Sequence, residues 1–324
     1  MSRSGAICAH PQLGAVDEPA GRPFRKVIGR VRHATRVTGT APSPLDSAPV
    51  SVTAVVVAWR AGERAGACLH RLAEVAPGVR RVLVDNEAGS ATGIGVPDDT
   101  TVMPLSDNLG FAGGANAGIA GAFADGAAHV VLLNDDVLVE PGCIEALVVA
   151  AGDRGAASPR IDGPPGIAFS GGELELVRGF GRHVDGAADY LSGACLCISR
   201  SAWDVVGSFN EELFLYYEDV EWCLRARSLH VPLTVALDAR ATHIGGASSG
   251  GREGETWAYY STRNRLWLLE IERGARVAGR EAAKTRMRAR MRAVQPARRA
   301  VSRAKLAGVH DWSARRMGRG PWPL

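Results

Sequence analysis

The stretch from residue 129 to residue 136, His-Val-Val-Leu-Leu-Asn-Asp-Asp, joins an apolar run to two adjacent carboxylates, Asp135 and Asp136. The run itself is typical of a buried parallel strand. Neighbouring carboxylates at the end of a strand repel each other unless a cation or ligand compensates them, and Mg²⁺ or Mn²⁺ bound to substrate phosphates is the usual solution. The same Asn-Asp-Asp sequence also suits a turn or a helix N-cap, so this motif alone leaves both interpretations open.

Strands and helices alternate around this run. Strands are predicted at 51–58, 80–84 and 101–104, and helices at 63–75 and 115–124. This alternation predicts an α/β fold with a doubly wound, mostly parallel sheet that carries helices on both faces. Ligands bind beyond the carboxyl ends of the strands in such sheets, so Asp85, Asn86 and residues 134–136 lie where a site is expected.

The second half of the chain is less regular. Residues 159–166 are rich in turn formers, and a strand within 187–199 is expected to lead into a helix near 201–206. The remaining expected elements are a helix at 218–229, a strand at 231–237 and a helix at 256–271.

Charge is distributed unevenly along the chain. Residues 1–49 carry seven Lys/Arg and three Asp/Glu, a net charge of +4, and residues 50–272 carry sixteen and twenty-nine, a net charge of −13. Residues 273–324 carry fifteen and two, a net charge of +13, so the total of +4 hides an acidic body and a basic tail. We therefore predict a flexible N-terminal extension (1–49), a folded domain (50–272) and a basic, partly helical C-terminal tail (273–324).

The basic tail allows three interpretations. It is a solvated or disordered extension, a peripheral anchor on an anionic membrane surface, or a nucleic-acid contact. Met287, Met291 and Val294 are spaced for one helix face, which suits an anchor. No interleaved aromatics or recognition pattern supports nucleic acid, and we expect none to bind.

Cysteine usage and hydropathy favour a cytoplasmic protein. The six cysteines show no metal-ligand spacing and are expected to be reduced and structural. No apolar run reaches the about 18–20 residues of a membrane span, and the N-terminus lacks the apolar core of a secretory signal. We expect a cytoplasmic location, with peripheral binding to the inner membrane as an option.

Two further segments carry titratable side chains. Glu218, Asp219 and Glu221 open a predicted helix beside a block of aromatic residues. Carboxylates in a first helical turn are favoured by the helix dipole alone, whereas apolar surroundings also suit a general base. His243 follows a predicted strand and precedes a glycine-rich loop, so it is either a structural histidine or a metal ligand.

In their order and approximate spacing, these motifs resemble the family 2 inverting glycosyltransferases with the GT-A fold. They look closest to the bacterial rhamnosyltransferase-like enzymes that build cell-wall or surface polysaccharide. The resemblance runs from about residue 52 to residue 265 and rests on residues 84–86, 108–116, 133–136, 191–194, 214–225, His243 with its glycines, and 263–264. It implies that residues 50–272 form the GT-A domain.

The resemblance also implies a role for each matching residue. Asp219 is expected to be the catalytic base, and Asp136 and His243 the ligands of Mg²⁺ or Mn²⁺. The substrate-binding set comprises Asp85, Asn86, Asn108, Gly110, Asn116 and Asp135 on the donor side, with Gly193, Glu218 and Glu221 on the acceptor side. The chain departs from the family pattern at Trp59-Arg60, Asn134 and Asn210. The first of these departures puts in doubt the base-stacking contact that the family makes after the first strand.

The implied reaction is a metal-dependent transfer of a sugar, with inversion, from a nucleoside-diphosphate donor to a hydroxyl of a glycan or polyprenyl-linked acceptor. A dTDP-rhamnose-like donor is favoured, and galactofuranosyl or other hexosyl transfer from a UDP-sugar is the alternative. Two other classes were weighed: a catalytically inactive, membrane-tethered scaffold of a cell-wall assembly complex, and a dinucleotide-dependent enzyme. The glycines at 110–118 do not follow the first strand and do not fit GxGxxG, which disfavours the latter.

Overall fold

The computed structural model describes residues 51–87, 89–90, 92–163, 168–175, 180–184, 188–244 and 254–321. The predicted N-terminal extension and the glycine-rich loop after His243 lie outside the described residues.

Twelve strands in the described part of the chain form two sheets. They are β1 Val52–Ala58, β2 Arg80–Asp85, β3 Thr100–Pro104, β4 His129–Asn134, β5 Val137–Val139, β6 Ala156–Asp162, β7 Ala168–Phe169, β8 Gly171–Glu175, β9 Phe180–Val184, β10 Tyr190–Leu191, β11 Cys195–Ser199 and β12 Leu233–His243. The large sheet has the order β3-β2-β1-β4-β11-β6-β12-β5, with β7 on β6, and the small one has the order β10-β8-β9.

Helices cover both faces of the large sheet. They are α1 Glu63–Val75, α2 Gly110–Ala124, α3 Cys143–Ala151, α4 Arg200–Val206, α5 Glu218–Ser228, α6 Glu255–Arg273, α7 Ala275–Arg292 and α8 Pro296–Ser313. Helices α1 and α3 pack on one face, and α2, α4 and α5 pack on the other. Strand β1 is buried on both sides, since Ala54 and Val56 face the first layer and Val55 and Val57 the second.

The predicted fold class is confirmed. Strands β3, β2, β1 and β4 are parallel, as are β6 and β12, whereas β11 and β5 run antiparallel to their neighbours. Cys195 and Cys197 lie on one face of β11 within the core, as their spacing predicts. All five cysteines among the described residues are buried free thiols.

Three segments differ from expectation. Of the turn-rich segment 159–166, residues 159–162 belong to strand β6, and residues 164–166 lie outside the described residues. Pro159 is accommodated where the β6–β12 register shifts between Ala236 and Arg240. Strand β12 continues past this irregularity to His243, six residues beyond the predicted end. Helix α2 begins at Gly110 rather than at residue 115. The glycines of its first turn have low helix propensity, so the sequence predicted a later start, but packing stabilises this turn.

The basic segment is folded against the rest of the protein. Tyr259 Oη donates to Asp311 Oδ2 (2.6 Å), and the Gly320 amide donates to Tyr260 Oη (2.9 Å), so α8 and the residues after it are tied to α6. A disordered extension is therefore the wrong interpretation for α7 and α8, which each bury one face against their neighbours. No helix within the described residues is long and apolar enough to span a bilayer.

Helix α2 approaches the sheet closely through Gly118. A Cβ at this position would lie 2.4 Å from Val55 Cγ1 and 2.7 Å from Val84 Cγ2, so Gly118→Ala is expected to overpack the core and lower the free energy of unfolding by about 1–3 kcal/mol. Urea unfolding followed by circular dichroism measures the change. Gly279→Ala in α7 is the matched control: nothing lies within 4 Å of its Cβ position, and we expect a gain of up to about 1 kcal/mol. Equal stabilities for the two variants would contradict the packing argument.

Candidate active site

The carboxyl ends of three parallel strands meet at one edge of the sheet. Ala58, the last residue of β1, pairs with Asp85, and Val57 pairs with Asn134. The end of β1 is therefore flanked by Asp85 on one side and by the Asn-Asp-Asp turn on the other. Asp85, Asp135 and Asp136 are all buried at this edge.

Asp85 and Asn86 organise the first flank. The Asp85 carboxylate accepts hydrogen bonds from the Gly89 amide (2.9 Å) and the Ser90 hydroxyl. Asn86 donates to the Gly110 carbonyl (2.9 Å) and accepts from the Leu109 amide (3.0 Å). Both side chains thus shape the loops that border the end of β2.

Asn108 and Gly110 set the start of α2. Asn108 Oδ1 accepts from the Gly110 amide (2.8 Å) and from Asn86 Nδ2 (3.3 Å), which satisfies a donor at the helix N-terminus. Gly110 has φ 73°, and a Cβ there would lie 2.2 Å from the Phe214 carbonyl oxygen. Only glycine fits this conformation and this close approach.

Asn116 has its amide engaged within the protein. It donates to the Phe209 carbonyl (3.0 Å) and Glu211 Oε1 (2.8 Å), and accepts from the Phe209 amide (2.9 Å). The structure therefore gives Asn116 the task of fastening the segment before α5 onto α2.

Asp136 and His243 form a pair across the β5–β12 ladder. His243 is opposite Val137, and His243 Nε2 lies 3.2 Å from Asp136 Oδ1. The contact lacks hydrogen-bond geometry, and Asp136 Oδ1 is buried with no hydrogen-bond donor. A carboxylate oxygen and an imidazole nitrogen that converge without bonding to each other fit a shared divalent cation. No group of three or more His, Cys, Asp or Glu side chains in the described ranges is arranged to hold a metal ion.

The carboxylate of Asp135 faces the guanidinium of Arg64, a residue that the sequence did not single out. Arg64, in the first turn of α1, places Nη2 3.7 Å from Asp135 Oδ2. Burial, and next the charge of Asp136, raise the pKa of Asp135 to about 6, against the opposing effect of Arg64. Arg64 follows Gly62-Glu63 in a chain rich in arginine, so its sequence context gives no signal for this position.

Asp219 is fixed by backbone amides. The Gly193 amide donates a 2.9 Å hydrogen bond to Asp219 Oδ2, and the Val220 amide donates one of 2.8 Å to Oδ1. The next residue, Ala194, accepts a 3.0 Å hydrogen bond from the Asn134 amide. The predicted base is thereby connected to the end of β4, beside the Asp135–Asp136 pair.

Of the neighbouring carboxylates Glu218 and Asp219, only Glu218 has an oxygen without a hydrogen-bond donor. It is buried, and its Oε2 has no hydrogen-bond partner. Burial, and next the charge of Asp219, raise the pKa of Glu218 to about 8. Burial also raises the pKa of Asp219, but its amide donors oppose that shift.

Both carboxylate oxygens of Glu221 form an ion pair with Arg225. Arg225 Nε lies 2.7 Å from Glu221 Oε1, and Arg225 Nη2 lies 3.0 Å from Oε2. Arg225 also donates to the Ser208 carbonyl (2.7 Å). Both Glu221 oxygens are therefore used to brace the segment before α5.

The loop before Asp219 depends on two buried polar residues of α6. Phe214, Tyr216 and Tyr217 all have positive φ (62°, 67° and 74°). Asn264 Nδ2 donates to three carbonyl oxygens of this loop, those of Leu213 (2.8 Å), Leu215 (2.9 Å) and Tyr216 (2.8 Å). Arg263, which is fully buried, donates to the carbonyls of Leu213 (3.1 Å) and Gly318 (2.7 Å). The sequence marks this pair as a motif, but not as the support of the base.

Comparison with known proteins agrees with this fold. No protein-family model matches the chain. It is 28% identical to the low-salt glycan biosynthesis hexosyltransferase Agl10 of Haloferax volcanii, over 57% of this chain and 65% of the relative. It is 30% identical to the N-acetylglucosaminyl-diphospho-decaprenol L-rhamnosyltransferase of Mycobacterium tuberculosis, over 44% of this chain and 60% of the relative. The chain thus spans less than two thirds of the length of these relatives.

A solved structure supports the fold. GalNAc-T7, crystallised with UDP, GalNAc and Mn²⁺, superposes with a TM-score of 0.51 at 14% identity, over 67% of this chain and 48% of that one. The resemblance predicted from the motifs is confirmed: the chain has the GT-A fold and is related in sequence to hexosyl- and rhamnosyltransferases.

The raised pKa of Glu218 makes stability depend on pH. The unfolded carboxyl loses its proton near pH 4.5 and the folded one near 8, so the stabilisation present below pH 4.5 is lost as the pH rises to 8. We expect Glu218→Gln to escape this loss and to exceed the wild type at pH 8.5 by more than about 1.4 kcal/mol, the free energy of one pKa unit.

Chemical denaturation at pH 5, 7 and 8.5 measures this difference. Glu212→Gln, at an exposed position, controls for the change in net charge. A gap between Glu218→Gln and the wild type that stays constant with pH would contradict the assignment.

Proposed function

We propose that this protein is an inverting, metal-dependent glycosyltransferase. It moves a sugar from a nucleoside-diphosphate donor to a hydroxyl of a glycan or lipid-linked acceptor. The observation that carries the proposal is the placement of Asp219 beside the end of β4, through the Gly193 amide and the Ala194–Asn134 hydrogen bond. A half-buried carboxylate held by backbone amides thereby lies next to a cluster suited to a diphosphate and its cation.

The donor binds over the carboxyl ends of β1, β2 and β4. Asp85 contacts the nucleotide base, and Asn86 and Asn108 keep the loop before α2 in the shape that borders it. Arg64 lies at the same edge and offers a guanidinium, the group best suited to phosphate oxygens.

Asp136 and His243 would hold the divalent cation, Mg²⁺ or Mn²⁺. When bound, the cation offsets the negative charge that develops on the leaving nucleoside diphosphate. The unpartnered Asp136 Oδ1 beside His243 Nε2 supports this assignment.

Asp219 takes the proton from the acceptor hydroxyl. The hydroxyl oxygen then bonds to the anomeric carbon as the bond to the nucleoside diphosphate breaks, and one displacement inverts that centre. The two amide donors favour the charged form of Asp219, whereas Glu218 Oε2 has no donor. Asp219 is therefore the member of the pair that carries the negative charge and acts as the base.

The relatives narrow the substrates. The mycobacterial relative is named for rhamnosyl transfer to a decaprenol-linked acceptor, which supports a dTDP-rhamnose-like donor and a polyprenyl-linked acceptor. The haloarchaeal relative is named only as a hexosyltransferase, so transfer from a UDP-hexose is the second candidate. An inactive scaffold is disfavoured, because it has no use for the buried carboxylate of Asp136 or for a carboxylate, Asp219, that two backbone amides hold in place. With a polyprenyl-linked acceptor, we expect the enzyme to act at a membrane surface, on its cytoplasmic face.

Asp219→Asn tests the base. We expect turnover with dTDP-rhamnose or a UDP-hexose to fall at least about 100-fold, because the amide cannot accept the proton. Binding of the nucleoside diphosphate with Mn²⁺, measured by calorimetry, is expected to remain within about twofold. Asp204→Asn, an exposed aspartate on α4, is the control. Unchanged turnover in Asp219→Asn refutes the assignment of the base.

Asp136→Ala tests the cation site. A thermal-shift panel of UDP-, dTDP- and GDP-sugars, with and without Mn²⁺, identifies the donor, because a ligand that binds the native state raises its apparent stability. We expect the Mn²⁺-dependent part of the shift to disappear in Asp136→Ala and to shrink in His243→Ala. Loss of the shift in the absence of metal as well would show instead that the substitution damages the nucleotide pocket.

A further inference from the structure

Helix α7 exposes three apolar side chains on its outer face. Met287 is 57% exposed, Met291 67%, and Val294, just beyond the helix end, 75%. Met287 and Met291, four positions apart, lie on one side of α7, and Val294 follows in the turn directly after the helix. These three exposed side chains are here called the apolar patch.

Arginines border the apolar patch on both sides. Arg286, Arg288, Arg290 and Arg292 are all exposed, and at 100° per residue Arg286 and Arg290 lie on one side of Met287 while Arg288 and Arg292 lie on the other. Arg298 and Arg299, also exposed, begin the next helix close to Val294. The patch is therefore an apolar strip between two rows of positive charge.

No exposed acidic residue offsets this charge on the two helices. The only acidic side chains between residues 275 and 313 are Glu281 and Asp311, and both are buried. Glu281 is paired with Lys284 and Asp311 with Arg316. The outward surface of α7 and α8 is thus uniformly basic.

The opposite face of α7 already has its packing partners. Ala278, Ala282 and Ala289 are buried, and α7 packs against α6 and α8. The apolar patch therefore does not serve to attach α7 to the described fold, and three large apolar side chains in water call for another explanation.

We infer that the apolar patch and its arginines dock on an anionic membrane surface. The methionines and the valine enter the boundary between head groups and acyl chains, and the arginines bind lipid phosphates with their stems along the apolar side. A nucleic acid would use the arginines but gain little from the exposed methionines and valine, so a lipid surface satisfies both features. Deleting residues 273–324 is a poor test, because α8 and Gly318 support α6 and the loop before Asp219.

The test uses the full chain and vesicles of phosphatidylcholine alone or with 30% phosphatidylglycerol. Co-sedimentation of the wild type is expected to be at least tenfold greater with the anionic vesicles and to weaken with salt. Arg286→Gln with Arg290→Gln is expected to reduce partitioning roughly 30-fold, from about 1 kcal/mol per basic residue near the surface. Arg154→Gln with Arg240→Gln removes two exposed arginines outside α7 and α8 as the charge control.

A second variant separates apolar insertion from charge. Met287→Gln, Met291→Gln and Val294→Gln together preserve the net charge and are expected to lower partitioning at least tenfold. Val149→Gln with Val205→Gln, at positions 74% and 54% exposed on α3 and α4, is the matched control with no expected effect. Circular dichroism checks that all variants fold.

Several results would overturn the inference. These are equal sedimentation with neutral and anionic vesicles, an equal loss in the control variants, or binding to a DNA duplex or single-stranded RNA without binding to vesicles. Neither vesicle assay requires substrate or turnover. Failure of the membrane inference is therefore distinguishable from failure of the proposed transfer reaction.

Discussion

The insertion of antiparallel strand β11 between β4 and β6 is the constraint on which the site depends. The Asn134–Ala194 hydrogen bond places the turn before β11 at the carboxyl end of β4, and the adjacent Gly193 amide holds Asp219. A side chain at position 193 would bring its Cβ within 3.1 Å of Asp219 Cβ, so glycine keeps this approach close. The strand thus joins the half of the sheet that carries Asp85 and Asp136 to the helix that carries the proposed base, Asp219.

The C-terminal helices extend this support. Asn264 and Arg263 bond the carbonyls of a loop with three positive-φ residues, and Gly318 in turn accepts from Arg263. Buried carbonyls left without such donors would cost about 1–3 kcal/mol each, so the loop is stable only with α6 behind it. The basic segment therefore has two different faces. Its inner face supports the loop before the proposed base, Asp219. Its outer face is exposed, cationic and partly apolar.

Local sequence periodicity was sufficient to predict the parallel core and the carboxylates at its edge. Strands β1, β2 and β4 are short apolar runs; Asp85 is the last residue of β2, and Asp136 comes two residues after the end of β4. Contacts between segments that are distant in sequence could not be predicted from that periodicity. The irregularity in β12 that carries the strand on to His243, the approach of Arg64 to Asp135, and the engagement of Asn116 and Glu221 by other protein groups depend on neighbours distant in sequence. The motifs singled out His243, Asn116 and Glu221 but not Arg64, and the partners of all four side chains come from tertiary packing.

The way each carboxylate is balanced indicates where ligands act. Loop donors balance Asp85, backbone amides balance Asp219, and arginines face Asp135 and Glu221. Among the described residues, only Asp136 Oδ1 and Glu218 Oε2 are buried carboxylate oxygens without a hydrogen-bond partner. An unpaired buried charge is unfavourable unless a proton or a ligand compensates it. For Glu218, the raised pKa means that a proton compensates the carboxylate. For Asp136, the neighbouring His243 makes a cation the fitting compensation. The two carboxylate oxygens without a hydrogen-bond donor thus belong to the proposed metal ligand and to the neighbour of the proposed base.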